Sequence, residues 1–579
     1  MRAFWRRGKR QARCYLIAET QGAAPAPKAD PAATSRRRRC AARARRRIVL
    51  CAAAFGTAYA VLALRLAFVS FGAPAGPQRL AAPSPPDAPR AEILDRNGVI
   101  LATNLPVTAL EIAGREVWDP AETAAALARA FPDIDRASLA KKLREGRYVE
   151  VKSELTPAEQ EAAFALGLPG VRFSSRTRRF YPQGPLAAHV VGHMEPGKGG
   201  VMGLEGALDK RAGDGPLIAA LDMRVQQALE DELDGAIRDT SAKAGWGAVM
   251  DARTGEVIAL ASLPDFDPND PGAAPADWRR NRATYDRYEL GSAFKTVTAA
   301  AALEAGTANE SSVYDARGAY RVADRTISDF HGENRMLSFS EVIQYSSNIG
   351  AARMAADLGS ERQRAALKAL GQFEPLPIEL AENRAPQLPA RWGPVETATI
   401  SFGHGISVTP LHLLAAFTAV VNGGQYRAPT FVKTGARDGA QVFSARTSAS
   451  MRRVLRRVIT DGTAAYAEAE GYFPIGKTST AEKPARGGYD RSARLASFVG
   501  AFPGYEPRYT VLISLDEPHP TKQSRGYATA GWNAAPAFSR FVSRVAPSLG
   551  VMPVSEATAL AGFYNGFQSA SAAPAGGGE

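Results

Sequence analysis

Apolar positions run from Ile48 to Leu64, break at Arg65 and resume from Leu66 to Phe71. At roughly 1.5 Å per residue, a helix over 48–71 is long enough to span a ~30 Å hydrocarbon layer. Arg65 falls near its far end, where a long stem can reach the headgroups. Gly72–Pro89 is dense in Pro and Ala and reads as a semi-rigid stalk. Mixed patterns begin at Arg90. Ala91–Leu101 alternates like a hairpin turning at Asn97-Gly98, and residues 120–165 have helical Ala/Leu spacing with Pro120 and Pro157 near helix starts. Gly247–Met250 and Glu256–Ala261 are apolar strands around the turn Asp251–Gly255. Helical segments dominate 293–425, and Ala496–Phe502 and Tyr509–Leu515 are strands again. This order predicts an α+β or α/β domain with one sheet covered by helices. The Ala/Gly/Ser-rich stretch from about Gln568 to Glu579 predicts disorder.

Overall composition, 45% hydrophobic and 22% charged, is that of a globular chain. The net charge of +13 changes the picture only at one end. Residues 1–47 hold 13 Arg and 2 Lys against Glu19 and Asp30, so the rest of the chain is neutral. A basic tract next to an apolar span is explained by the membrane, which removes the case for nucleic-acid binding and puts the N-terminus in the cytoplasm. Ala73-Pro74-Ala75 loosely resembles a signal cleavage site, but the charged and apolar regions are both too long for a cleaved signal. The expectation is an uncleaved anchor. Cys14, Cys40 and Cys51 all precede residue 72, so the body carries neither a disulfide framework nor a cysteine metal site.

Three short elements carry chemistry. Ser292-Ala-Phe-Lys295 follows Gly291 and opens a long helical run, so positions i and i+3 share a face and the Lys amine can approach the Ser hydroxyl. Partly buried, such an amine loses proton affinity and can activate the serine as a nucleophile. Alone, Ser-x-x-Lys is weak, since a helix with an exposed Lys gives the same letters. Ser346-Ser347-Asn348 reads as a break between two helices, where Ser and Asn bond to local backbone. It is an N-cap in any case; functionally, Ser346 would pass a proton and Asn348 hold a substrate amide. Lys477-Thr478-Ser479 lies in a strand, where a cation can hold a carboxylate and backbone N–H groups an oxyanion.

Together, Ser-x-x-Lys, Ser-Ser-Asn and Lys-Thr-Ser, 54 and 131 residues apart, resemble the motifs of class B penicillin-binding proteins. Context strengthens the likeness. Asn281-Arg-Ala-Thr-Tyr-Asp-Arg-Tyr-Glu-Leu-Gly precedes the nucleophile, with Leu290 where the family pattern has Pro. Gly403-His-Gly-Ile-Ser-Val-Thr-Pro is similar to a further family segment. Arg90-Ala-Glu-Ile-Leu-Asp-Arg-Asn-Gly, Arg179-Phe-Tyr-Pro-Gln-Gly, His189-Val-Val-Gly and Gly203-Leu-Glu-Gly resemble its pedestal.

The resemblance implies a cytoplasmic tail (1–47), a single membrane helix (48–71), a linker (72–89), a mixed α/β pedestal (90–235), a transpeptidase domain (236–545) and a tail (546–579). The transpeptidase domain would pack helices around a five-stranded sheet, like serine β-lactamases. It implies a periplasmic enzyme of the inner membrane that takes D-Ala-D-Ala stem peptides, is inhibited by β-lactams and needs no cofactor. Catalysis would fall to Ser292, Lys295, Ser346, Asn348 and Lys477, substrate binding to Thr478, Ser479 and Thr480, and the oxyanion hole to the backbone N–H groups of Ser292 and Thr480. Tyr345-Ser-Ser-Asn-Ile-Gly and Tyr527-Ala-Thr-Ala-Gly-Trp-Asn-Ala-Ala-Pro resemble the septal (FtsI-type) branch, which implies a SEDS-type polymerase (FtsW) and other divisome membrane proteins as partners. An elongation-type enzyme, a catalytically weak division scaffold and a hydrolase are the competing readings.

One departure stands out: Ser479 occupies a position where the family usually has Gly. If the substrate runs along this strand, the extra group predicts slower acylation, changed by Ser479→Gly. Gly471–Thr478 also spells a phosphate-binding loop, but Pro474 removes a needed N–H and the residues after Ser479 cannot start a helix. Among the six histidines, His189 and His193 have helical ligand spacing, yet Val190-Val191-Gly192 predicts a strand or turn, against a metal site.

Overall fold

The computed structural model describes residues 46, 47, 49–64 and 90–565, apart from 196, 212, 214, 436, 486 and 487. The chain divides into two units at residues 84 and 85. In the first, residues 46–47 and 49–64 are helical. Among the described residues no helix is long and apolar enough to cross a membrane; residues 48 and 65–71 of the expected anchor lie outside them, as do 568–579.

The second unit begins with a pedestal sheet. Ile93–Leu94 (β1) and Ile100–Ala113 (β2) form the expected hairpin, its turn held by Asp95, whose Oδ1 accepts from the N–H groups of Asn97 and Val99. Tyr148–Leu155 (β3) and Val171–Phe180 (β4) both pair antiparallel with β2, and Leu217–Ile218 (β5) pairs parallel with β1. Residues 120–165 are not all helical. Pro120–Ala130 (α1), Arg136–Arg144 (α2) and Pro157–Ala165 (α3) are helices, but β3 runs between them. Each helix starts where a side chain satisfies free N–H groups: Asp119, Asp135 and Thr156 are the caps. Leu110, Ile112, Leu127, Phe131, Leu139 and Leu143 build a distal core of their own. By contrast, Ile93, Leu101 and Leu204 belong to the same core as the catalytic half.

The catalytic half is built on Ala244–Asp251 (β6), Val257–Leu263 (β7), Ile475–Ala485 (β8), Gly488–Phe502 (β9) and Tyr509–Asp516 (β10), in the order β8-β9-β10-β6-β7, each neighbouring pair antiparallel. β6 and β7 are buried throughout, because helices cover both faces. On one face Met223–Thr240 (α4), capped by Asp222, lays Leu229 and Leu233 where a side chain at Gly247 would stand. Residues 235 and 236, where the sequence divides pedestal from catalytic domain, fall inside this helix. On the other face Pro410–Val421 (α5) is fully buried, and its Thr418 hydroxyl meets that of Thr510, 2.7 Å away. Thr510 pairs with Met250, on the strand face alternate to Gly247. Two strands therefore meet helices above and below, and β8 is left as an edge. That edge carries Lys477, Thr478, Ser479 and Thr480.

Candidate active site

Gly291–Phe294 is a 3₁₀ turn that runs into the helix Lys295–Glu304, so Ser292 and Lys295 stand one turn apart at the helix start. The turn is set by backbone contact. Gly291 has φ +57°, and a Cβ on Gly403 (φ +83°) would lie 2.2 Å from the Gly291 carbonyl oxygen. Only glycines allow both the conformation and the approach.

Lys295 is 0% exposed, and its Nζ donates to Ser292 Oγ (3.0 Å), Ser346 Oγ (3.1 Å), Asn348 Oδ1 (2.8 Å) and the Ser346 carbonyl. Lys477, also 0% exposed, donates from β8 to Ser346 Oγ (2.9 Å) and to the Thr478 carbonyl (3.1 Å). Ser346 thus stands between two buried amines. It lies between the helices Phe339–Gln344 and Asn348–Leu358, at φ +62°, a left-handed conformation that costs a non-glycine residue about 1 kcal/mol or more. Burial, then the charge of Lys477, pushes the Lys295 amine well below its ordinary range, against an opposing pull from Asp329. Burial alone lowers Lys477 to about 7. Lowered in this way, the Lys295 amine gives up its proton more readily than a free lysine and can then accept the proton of Ser292.

All five residues expected to be catalytic come together in this cluster. Thr478 and Thr480 face the other side of β8: the Thr478 hydroxyl meets that of Thr463 (2.6 Å), and Thr480 Oγ1 accepts from the Ala530 N–H (3.1 Å). Ser479 points the opposite way. Its side chain shares the strand face of Lys477, is 3% exposed and donates to the Leu290 carbonyl at 2.5 Å. The extra hydroxymethyl group is folded against the nucleophile's turn.

Sequence reasoning missed Asp329. Its carboxylate accepts from Ser347 Oγ and from the N–H groups of Asn348 and Ile349. It comes from a loop with no periodic or spacing signal, so only the folded contact reveals it.

Lys477 lies within a strand and no helix follows, so Gly471–Thr478 is not a phosphate-binding loop. His189 departs from the expected strand or turn, since Ala188–Val191 forms one helical turn, and His193 lies just beyond it. Their rings pack edge-on against Phe266, and His189 Nε2 is 2.7 Å from the Trp278 carbonyl. Burial pushes His189 down to about 4. Among the described residues no group of three or more His, Cys, Asp or Glu is placed to hold a metal.

Residues 245–542 match the penicillin binding protein transpeptidase domain, and residues 85–211 the penicillin-binding protein dimerisation domain. The chain is 42% identical over 490 residues to the probable peptidoglycan D,D-transpeptidase FtsI of Caulobacter vibrioides, covering 82% of this chain and 83% of that one. It is 33% identical over 512 residues to the probable peptidoglycan D,D-transpeptidase PenA of Neisseria gonorrhoeae (82% and 87%). With the peptidoglycan D,D-transpeptidase FtsI of Escherichia coli K12 it shares 27% over 503 residues (80% and 84%).

Proposed function

The chain belongs to the class B penicillin-binding proteins, with a transpeptidase and a dimerisation domain, and on that premise we propose that it cross-links septal peptidoglycan through an acyl-enzyme on Ser292. The observation that carries the reading is the contact of the buried Lys295 amine, its proton affinity lowered by burial, with Ser292 Oγ. Lys295 takes the hydroxyl proton as Oγ attacks the penultimate D-Ala carbonyl. The backbone N–H groups of Ser292 and Thr480 hold the oxyanion. Ser346, within reach of both amines, relays the proton to the leaving D-Ala, and Asn348 holds a stem-peptide amide. An acceptor amine then attacks the ester and frees Ser292. Thr478, Ser479 and Thr480 supply the strand edge along which the donor peptide lies.

Lys477 holds the terminal carboxylate of the donor, or that of a β-lactam, and this has a thermodynamic signature. The free amine, at about 7, is mostly neutral at pH 8. A bound carboxylate favours the ammonium, so binding raises this pKa and takes up a proton above pH 7 but not well below it. Calorimetry of Ser292→Ala with a penicillin, in two pH 8 buffers of different ionisation heat, is expected to give buffer-dependent heats. The dependence should vanish with Lys477→Met; buffer-independent heats in Ser292→Ala itself would contradict the assignment.

A septal role is supported by the Caulobacter relative named FtsI, and a SEDS-type polymerase (FtsW) is the partner that role calls for. The basic residues 1–47 and the apolar run 48–71 support a single inner-membrane anchor with the catalytic half in the periplasm. Turnover tests the reading directly. Purified protein given a D-Ala-D-Ala thioester analogue and a D-amino acid acceptor is expected to form the aminolysis product, and Ser292→Ala none above background. Equal product from both would sink it.

A further inference from the structure

Asp329 follows the short strand Arg325–Ile327 and belongs to none of the sequence motifs. Its Oδ2 accepts from Ser347 Oγ at 2.7 Å, and its Oδ1 from the N–H groups of Asn348 and Ile349 at 2.5 and 3.0 Å. Next to it, the Ser328 carbonyl accepts from Asn348 Nδ2 at 3.2 Å. Ser347 Oγ accepts in turn from the Gly350 N–H at 3.0 Å. The first three N–H groups of the helix Asn348–Leu358 are thereby satisfied, and a negative charge sits where the helix dipole favours it.

The consequence reaches the nucleophile. Ser346 keeps a left-handed backbone only while both sides of its turn are held. On the preceding side the N–H groups of Ser346 and Ser347 bond to the Ile343 and Val342 carbonyls. On the following side Asp329 does the holding. That turn puts Ser346 Oγ between the two lysines and Asn348 Oδ1 on Lys295.

We propose that Asp329 is a positioning residue of acylation, which locks the Ser346–Asn348 turn and sets a carboxylate charge near the buried Lys295. The proposal rests on the Ser292 acyl-enzyme reading. The charged and titratable groups around Lys295 are Lys477 from β8, Asp329 from its loop and His404 from the 403–405 segment, which itself faces Glu289 and Glu482. Of the charges acting on the Lys295 amine, Lys477 disfavours the ammonium and Asp329 favours it.

Two variants separate geometry from charge. Asp329→Ala removes both, and a misplaced turn is expected to lower the acylation rate constant for a fluorescent penicillin about 10–100-fold, with little change in the preceding affinity. Asp329→Asn keeps an oxygen for the two N–H groups. Its rate at the optimum should stay within about threefold of wild type. With the charge gone, Lys295 loses its proton more easily, so the acid limb of the pH–rate profile should move down by roughly 0.5–1 unit. A helix cap with no electrostatic part would leave that limb where it is, and such a result overturns the proposal. So does Asp329→Ala acylating at the wild-type rate. If Asp329→Ala does not fold, the limb of Asp329→Asn decides alone. Wild-type protein that takes no label at Ser292 would overturn the acyl-enzyme reading itself, and this proposal with it.

Discussion

Lys295→Met is expected to slow β-lactam acylation by a factor on the order of 10²–10⁴, the usual contribution of a positioned general base, while leaving the melting temperature within a few degrees of wild type. The two halves of this expectation have separate causes. The amine is the only nitrogen base in contact with Ser292 Oγ among the described residues, and it also ties Ser346 and Asn348 to the nucleophile. Removing it leaves Ser292 a hydroxyl with no proton acceptor of adequate basicity. Stability should suffer little, because an amine held at 0% exposure is desolvated at a cost that the apolar methionine does not incur. The two side chains stay tethered: Asn348 still donates from Nδ2 to the Ser328 carbonyl, and Ser346 Oγ still accepts from Lys477. Stopped-flow acylation and a thermal melt on the same preparation check both. A loss of rate matched by a large loss of stability would instead make Lys295 a structural residue.

The second large effect lies in the pedestal. Glu205 is 0% exposed and takes Arg90 Nε on one oxygen (2.6 Å) and Arg179 Nε on the other (2.7 Å), while its carbonyl accepts from a second nitrogen of Arg90. Asp209 completes the group by pairing with Arg90 and accepting from the Gly200 N–H. Removing the central anion leaves Arg179, 4% exposed, without its counter-charge. Breaking a buried pair in this way costs about 3–5 kcal/mol. Glu205→Gln should therefore lower the first thermal transition by ~10 °C. Acylation at temperatures below that transition should be unchanged, since among the described residues the ion group shares no hydrogen-bond partner with Ser292, Lys295, Ser346 or Lys477. A melting curve superimposable on wild type would refute the role given to Glu205.

How far the sequence could be read depended on how local each cause was. The three motifs were legible because each needs its residues on one helix turn, one helix break or one strand, and the fold adds only their meeting. The hairpins at Asn97-Gly98 and Asp251–Gly255 were legible for the same reason. Strand β3 was hidden: Val149 and Val151 alternate, but Ser153 interrupts the pattern, and helix starts at Pro120 and Pro157 frame it on both sides. For Ser479 the sequence shows bulk, and strand parity adds direction: positions 477 and 479 share one face, so a lysine aimed at the nucleophile's helix carries Ser479 toward the same helix. Asp329 acts across some 20 residues of chain that include the helix Phe339–Gln344, and nothing short of the folded loop could have found it. The pairing of Arg90 and Arg179 on Glu205 joins three motifs that the sequence showed only as separate likenesses.

The most direct test of Ser292 as the acylated nucleophile is to label the purified protein with a fluorescent penicillin and map the adduct by mass spectrometry. The expected result is one long-lived adduct on the peptide containing Ser292, absent from Ser292→Ala. No adduct on the wild-type protein, or an adduct on another residue, would contradict it.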